Sequence, residues 1–135
     1  MIDHITLLVS DYRRAKAFYL AALKPLGFEL VMEITREQIP DLPFDESCGI
    51  GPGGKPCLWL RPSDVLAPTH IAFHAPNHAS VGAFHEAALA AGATDHGGPG
   101  LRPHYHPNYY AAFVLDADGY NIEAVCHAPQ PGNPQ

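Results

Sequence analysis

The chain repeats its own opening at an offset of 66 residues. His4-Ile5, followed by Ala17-Phe18 and Ala21-Ala22-Leu23, returns as His70-Ile71, followed by Ala83-Phe84 and Ala87-Ala88-Leu89, with seven identities in the twenty positions from His4 to Leu23. A chain of 135 residues has room for one compact core and little for two independent ones, so a repeat of half that length predicts two modules sharing a core. Duplication also places two histidines, His4 and His70, at equivalent points near the starts of two apolar strands.

Each module reads in the same order. Residues 3–9 alternate, with Ile5, Leu7 and Val9 on one face and His4, Thr6 and Leu8 on the other, the two-residue period of a strand. Ser10-Asp11 offers an N-cap, and Ala15, Phe18, Tyr19, Ala22 and Leu23 recur at helical spacing, predicting a helix over 11–24 that Pro25 and Gly27 stop. Strands follow at 28–34, 44–51 and 57–60. In the second half the expected strand covers 69–75, the helix 79–91 and a short strand 94–96. A long loop then leads to a hairpin of 109–115 and 121–126, where Asp118-Gly119 supplies the positive φ of a tight turn. The reading is thus α+β, with two βαβββ modules, 1–62 and 67–127, in one domain of residues 1–127. The tail 128–135, rich in proline, is expected to fray.

Eight Lys and Arg against fourteen Asp and Glu give a net charge of −6, a poor match to a phosphate backbone or an anionic lipid surface. Nucleic acid and membrane are therefore not expected partners. No apolar run approaches the ~20 residues of a bilayer span, and the N-terminus reads straight into a strand, so a cytoplasmic protein is expected. Cys48, Cys57 and Cys126 are scattered without a paired motif and read as buried thiols.

Strand alternation separates His4 and His70 from the helix-packing residues. If each helix covers the apolar face of its own module, both imidazoles project from the far face, around a cavity. Glu123, between Ile122 and Ala124, is a carboxylate that is costly to bury without a partner. Two imidazoles and one carboxylate make a first shell for one divalent metal such as Fe, Mn, Ni or Zn. The competing reading gives His4 and His70 structural roles and pairs Glu123 with Arg61 or Arg102. His74, two residues beyond His70, is a candidate general base or a solvent-facing strand-end histidine. Arg102, His104, Tyr105, His106, Tyr109 and Tyr110 compose either a pocket mouth for a small polar or aromatic ligand or an interface patch.

The order strand-His-Ile, helix with Phe-Tyr, second strand-His-Ile and closing Asp-Ala-Asp-Gly-Tyr-Asn-Ile-Glu (residues 116–123) resembles the vicinal oxygen chelate superfamily, over about residues 2–127. Glyoxalase I, extradiol dioxygenases, fosfomycin-resistance proteins and bleomycin-binding proteins belong to it. The resemblance implies a cupped mixed sheet with the helices on its outer face, usually a homodimer, and His4, His70 and Glu123 as metal ligands. It implies a glyoxalase-like lyase or isomerase, or a dioxygenase, acting on a small oxygenated or aromatic substrate whose adjacent oxygens chelate the metal. His74 and Tyr110 are then catalytic candidates, and Arg102, His104, His106 and Tyr109 line the substrate. The alternatives are a metal-free bleomycin-resistance-like binding protein and a fosfomycin-type thiol transferase. Glyoxalase I-like members place a fourth carboxylate ligand where the first module mirrors the last Glu. Aligning Gly119–Glu123 with Gly54–Leu58 puts Leu58 there, which favours a three-ligand centre.

Overall fold

A computed structural model describes residues 1–129, in two compact units that meet in sequence at Ala67 and Pro68. The first contains β1 (Ile5–Val9), α1 (Tyr12–Ala22), a 3-10 turn (Lys24–Leu26), β2 (Phe28–Thr35), β3 (Glu46–Pro52) and β4 (Leu58–Pro62). The second contains β5 (His70–His74), α2 (His78–Ala90), β6 (Thr94–Asp95), β7 (Gly100–Leu101), β8 (Tyr110–Leu115) and β9 (Asn121–Cys126). The duplicated βαβββ order is present. In the second unit the third position is split, because β6 and β7 are two-residue strands that both pair with β8. The expected tail extends past residue 129, outside the described residues.

Both sheets are mixed. The first has the order β1-β4-β3-β2 and the second β5-β9-β8-β6, each joining its first and last strands in parallel and the rest antiparallel. A parallel pair needs a crossover, and each helix begins it. Asp11 caps α1 by accepting a hydrogen bond from the Arg14 amide at 3.1 Å. Asn77 and Ser80 form a reciprocal capping box on α2. Gly27, at φ 87°, turns the chain back into β2.

The helix side of each sheet is the core. Leu7, Val9, Ile50, Leu58 and Leu60 are fully or nearly fully buried in the first unit, where α1 packs on β2, β3 and β4. Phe73, Ala112, Val114, Ile122 and Ala124 play the same part beneath α2. Tyr12 and Lys16 tie α1 to the sheet edge through Glu33, at 2.9 and 2.7 Å. Cys48 and Cys126 are buried and Cys57 half-buried, all as free thiols; burial pushes the thiols of Cys48 and Cys57 up, away from the reactive thiolate. Among the described residues, no helix is long and apolar enough to cross a membrane.

Candidate functional site

The site of the second unit follows from the pairing of β5 with β9. Their register sets His70 beside Asn121, Ala72 beside Glu123 and His74 beside Val125, and β8 adds Phe113 opposite Glu123. By alternation these side chains share the face opposite to α2. Glu123 is 1% exposed and sits on it with both carboxylate oxygens engaged. Oε1 lies 2.9 Å from His70 Nε2, and Oε2 accepts the Tyr109 hydroxyl in a short hydrogen bond. The cost of burying this carboxylate is offset by two directed partners. Burial, and then the hydrogen bond to Glu123, push the Tyr109 phenol up to about 12, so at neutral pH it is a donor.

Arg102, His104, His106 and Tyr109 belong to the loop that precedes β8, closed by the Arg102 amide on the Tyr109 carbonyl at 2.7 Å. Of these only Tyr109 reaches Glu123. Arg102 donates to the carbonyls of Gly100 and Gly98, both at 2.8 Å, and lies over the Phe113 ring. Its guanidinium holds the loop and is not the partner of Glu123. His104 packs on Tyr105, and His106 Nδ1 accepts the Asn108 amide at 3.1 Å. Tyr105 meets Tyr109 edge-on, with ring centres 5.2 Å apart.

Two sequence expectations are corrected here. Tyr110 is one residue out of phase with Glu123 and stacks on His78, the first residue of α2, at 3.8 Å between ring centres. It therefore belongs to the helix side, because a shift of one residue exchanges the faces of a strand. Leu58 is not the mirror of Glu123. Ile5 pairs with Leu58 as Ile71 pairs with Ile122, so Thr6–Trp59 is the counterpart of Ala72–Glu123. Trp59 holds the mirrored place, and the absence of a carboxylate there stands. Arg61, the other suggested partner of Glu123, lies with its guanidinium carbon 4.6 Å from the centre of the Phe44 ring.

His74 shares the face of His70, is exposed, and makes no hydrogen bond among the described residues. His4 is held in the first unit: its Nδ1 is 2.7 Å from Asp3, which Lys55 holds in turn at 2.5 Å. That leaves Nε2 for another partner, the usual arrangement of a ligating histidine. Among the described residues no three His, Cys, Asp or Glu side chains stand gathered as a metal site. The structure brings together two of the three expected ligands, His70 and Glu123. Their 2.9 Å separation is close to the roughly 3 Å between neighbouring ligands at right angles around a divalent ion with bonds of about 2.1 Å.

Beside this pair lies a cavity of about 250 Å³, lined by His96, Arg102, Tyr105, Phe113 and Asn121. Asn121 lines it, and its side-chain oxygen is buried without a hydrogen-bond partner among the described residues. Neither His96 nor Phe113 carries a local sequence signal, and Asn121 carries only its place on a strand face. Counting by twos from Glu123 finds Asn121, whereas His96 and Phe113 required the hairpin register.

Paired βαβββ units with a buried terminal glutamate against a strand-borne histidine define a glyoxalase-type protein. The chain belongs to the Glyoxalase/Bleomycin resistance protein/Dioxygenase superfamily, whose pattern it matches over residues 1–124. It is similar in structure to a glyoxalase/bleomycin resistance protein from Albidiferax ferrireducens T118, with 24% identity, 94% of this chain and 98% of that one covered, and a TM-score of 0.70. The fosfomycin resistance protein FosX from Listeria monocytogenes is similar at 19% identity, with 93% and 92% covered and a TM-score of 0.66. A glyoxalase I mutant from Zea mays is similar at 22% identity and a TM-score of 0.68, covering 92% of this chain and 46% of that longer one. No curated protein matches the sequence.

Proposed function

We propose that the protein is a metal-dependent enzyme of the vicinal oxygen chelate type, in which His4, His70 and Glu123 hold one divalent ion. The observation that carries this reading is the buried Glu123 carboxylate, set 2.9 Å from His70 Nε2 and oriented on its other oxygen by Tyr109. Bound there, the ion supplies Lewis acidity toward two adjacent oxygens of a small substrate. The protein side of the chemistry is positioning. Tyr109 fixes the rotation of Glu123 and keeps its proton at neutral pH, and the Asp3–Lys55 pair fixes the ring of His4. His74, exposed on the face of His70, is the candidate for moving a proton to or from the substrate. Asn121 offers the cavity an acceptor for a substrate hydroxyl or amide proton.

A glutamate-to-glutamine mutant of FosX from Listeria monocytogenes has been crystallised with Mn(II) and 1S,2S-dihydroxypropylphosphonic acid, which supports a divalent ion and an oxygenated substrate for this fold. The reaction is assigned to the lyase, isomerase or dioxygenase branches. The proposed working unit is a homodimer of single-domain chains. Its support is β2, an edge strand that exposes Leu30 at 42% and Met32 at 49%, a surface suited to a second copy of the chain.

Metal analysis of untagged protein tests the centre. Stoichiometric metal in the wild type that disappears in both His70→Ala and Glu123→Ala is the expected result, and failure of the wild type to take up Fe, Mn, Ni or Zn on reconstitution refutes it. One observation favours the metal-free binding protein as the second reading: Glu123 is already satisfied by His70 and Tyr109.

A further inference from the structure

The face of the first sheet opposite α1 carries a different chemistry. Thr6, Trp59 and Gly49 lie in one row across β1, β4 and β3, with Arg61 two residues along from Trp59 on the same face. A concavity of about 240 Å³ opens there, lined by Thr6, Phe44, Ser47, Trp59 and Arg61 and also by His4, the proposed metal ligand of this unit. Gly49 admits the indole: a Cβ at that position would come 2.9 Å from two ring atoms of Trp59 and 2.8 Å from Pro56 Cβ. Trp59 is therefore held against the strand and forms a fixed aromatic wall. The half-buried Arg61 guanidinium rests over the Phe44 ring at 4.6 Å. In a chain with fourteen acidic residues, the Arg61 side chain has no ion pair and no hydrogen bond among the described residues. Ser47 donates its hydroxyl to the Leu60 carbonyl at 2.7 Å, so it does not compete for an incoming anion.

A planar guanidinium with unused donors matches a carboxylate through two parallel hydrogen bonds, and an indole wall matches a flat ring. The volume is below the ~300–1,000 Å³ of drug-sized pockets, which limits the occupant to about one ring. We propose that this face is a binding subsite for a single-ring aromatic carboxylate, its carboxylate on Arg61 and its ring on Trp59. This deepens the proposed function by naming the acid class of the substrate. It rests on that reading for turnover and not for binding.

Trp59 is the chain's one tryptophan, so its fluorescence reports on the subsite directly. The 135-residue chain, stripped of metal by chelator and dialysed, is titrated with benzoate and, separately, with benzyl alcohol, the neutral analogue. Benzoate is expected to give a saturable change, with benzyl alcohol at least about ten-fold weaker. Arg61→Gln should erase that preference while circular dichroism stays native. Trp59→Phe, followed by ligand NMR, should weaken benzoate by about ten-fold as well. No saturable response, equal affinity for the two ligands, or unchanged benzoate affinity in Arg61→Gln overturns the proposal. Because the titration uses metal-free protein, it succeeds or fails independently of the metal analysis.

Discussion

Trp59 in the first unit occupies the place that Glu123 occupies in the second. Each pairs with the residue two beyond the unit's repeated histidine, Thr6 with Trp59 and Ala72 with Glu123. The residue across the next strand changes with it: Gly49 faces Trp59, and Phe113 faces Glu123. A large indole is accommodated by a bare backbone, and a small carboxylate is covered by a ring. One duplicated frame thus presents an aromatic wall on one sheet and a hydrogen-bonded histidine–glutamate pair on the other.

The Gly49–Trp59 relation is expected to show as non-additivity. Gly49→Ala forces a methyl against the indole and Pro56, both below 3.0 Å, and should cost about 1–3 kcal/mol in urea unfolding. Combined with Trp59→Ala, which empties the space the indole fills, the added cost of Gly49→Ala should fall to what the contact with Pro56 alone imposes. A strictly additive double mutant contradicts the packing described.

The repeat made the two histidines and the βαβββ order legible because they follow local rules: alternation, capping and a constant offset. The mirror of Glu123 was less accessible. Aligning Gly54 with Gly119 assumes equal turns, but Gly54 stands four residues before Leu58, and Gly119 stands three before Ile122, its counterpart in the register. One extra turn residue moves a strand position to its other face, which is why aligning the turns points to Leu58 where the register has Trp59. Tyr109 and Tyr110 pose the same problem. Composition alone makes them equivalent, whereas the register of β8 sends one to Glu123 and the other to His78.

That division separates the effects of two substitutions that look alike. Tyr109→Phe leaves a buried carboxylate oxygen without its donor and is expected to destabilise the protein by about 1–3 kcal/mol. If the metal reading holds, it should also weaken metal uptake. Tyr110→Phe keeps the stacking on His78 and should change neither quantity. Equal loss in the two variants would refute the assignment of opposite faces.

Asn121 is expected to respond in the reverse sense. Its buried oxygen has no hydrogen-bond partner among the described residues, so replacing the amide removes a desolvated acceptor along with the side chain. Asn121→Val suits a strand and should leave unfolding stability unchanged or raise it by up to about 1 kcal/mol. Ligands with a hydroxyl for that oxygen should bind the variant more weakly, measured by calorimetry. A loss of stability above about 1 kcal/mol would mean that the amide has a structural partner.

Glu33 gives a pH dependence whose sign is fixed. Lys16, and then Tyr12, hold its carboxyl below the ordinary value of 4.5, so the folded state binds the proton less readily than the unfolded chain. The stabilisation is fully present above pH 4.5 and is lost as the pH falls through the lowered value. Glu33 is partly exposed and solvent screens the pair, which limits its worth to under about 1 kcal/mol. Glu33→Gln should therefore be slightly less stable than the wild type at pH 7, and the gap should close in more acidic solution. Urea midpoints of both proteins across this range provide the check. A gap that stays constant down to pH values well below 4.5 would show that the contribution of Glu33 to folding does not come from its charge.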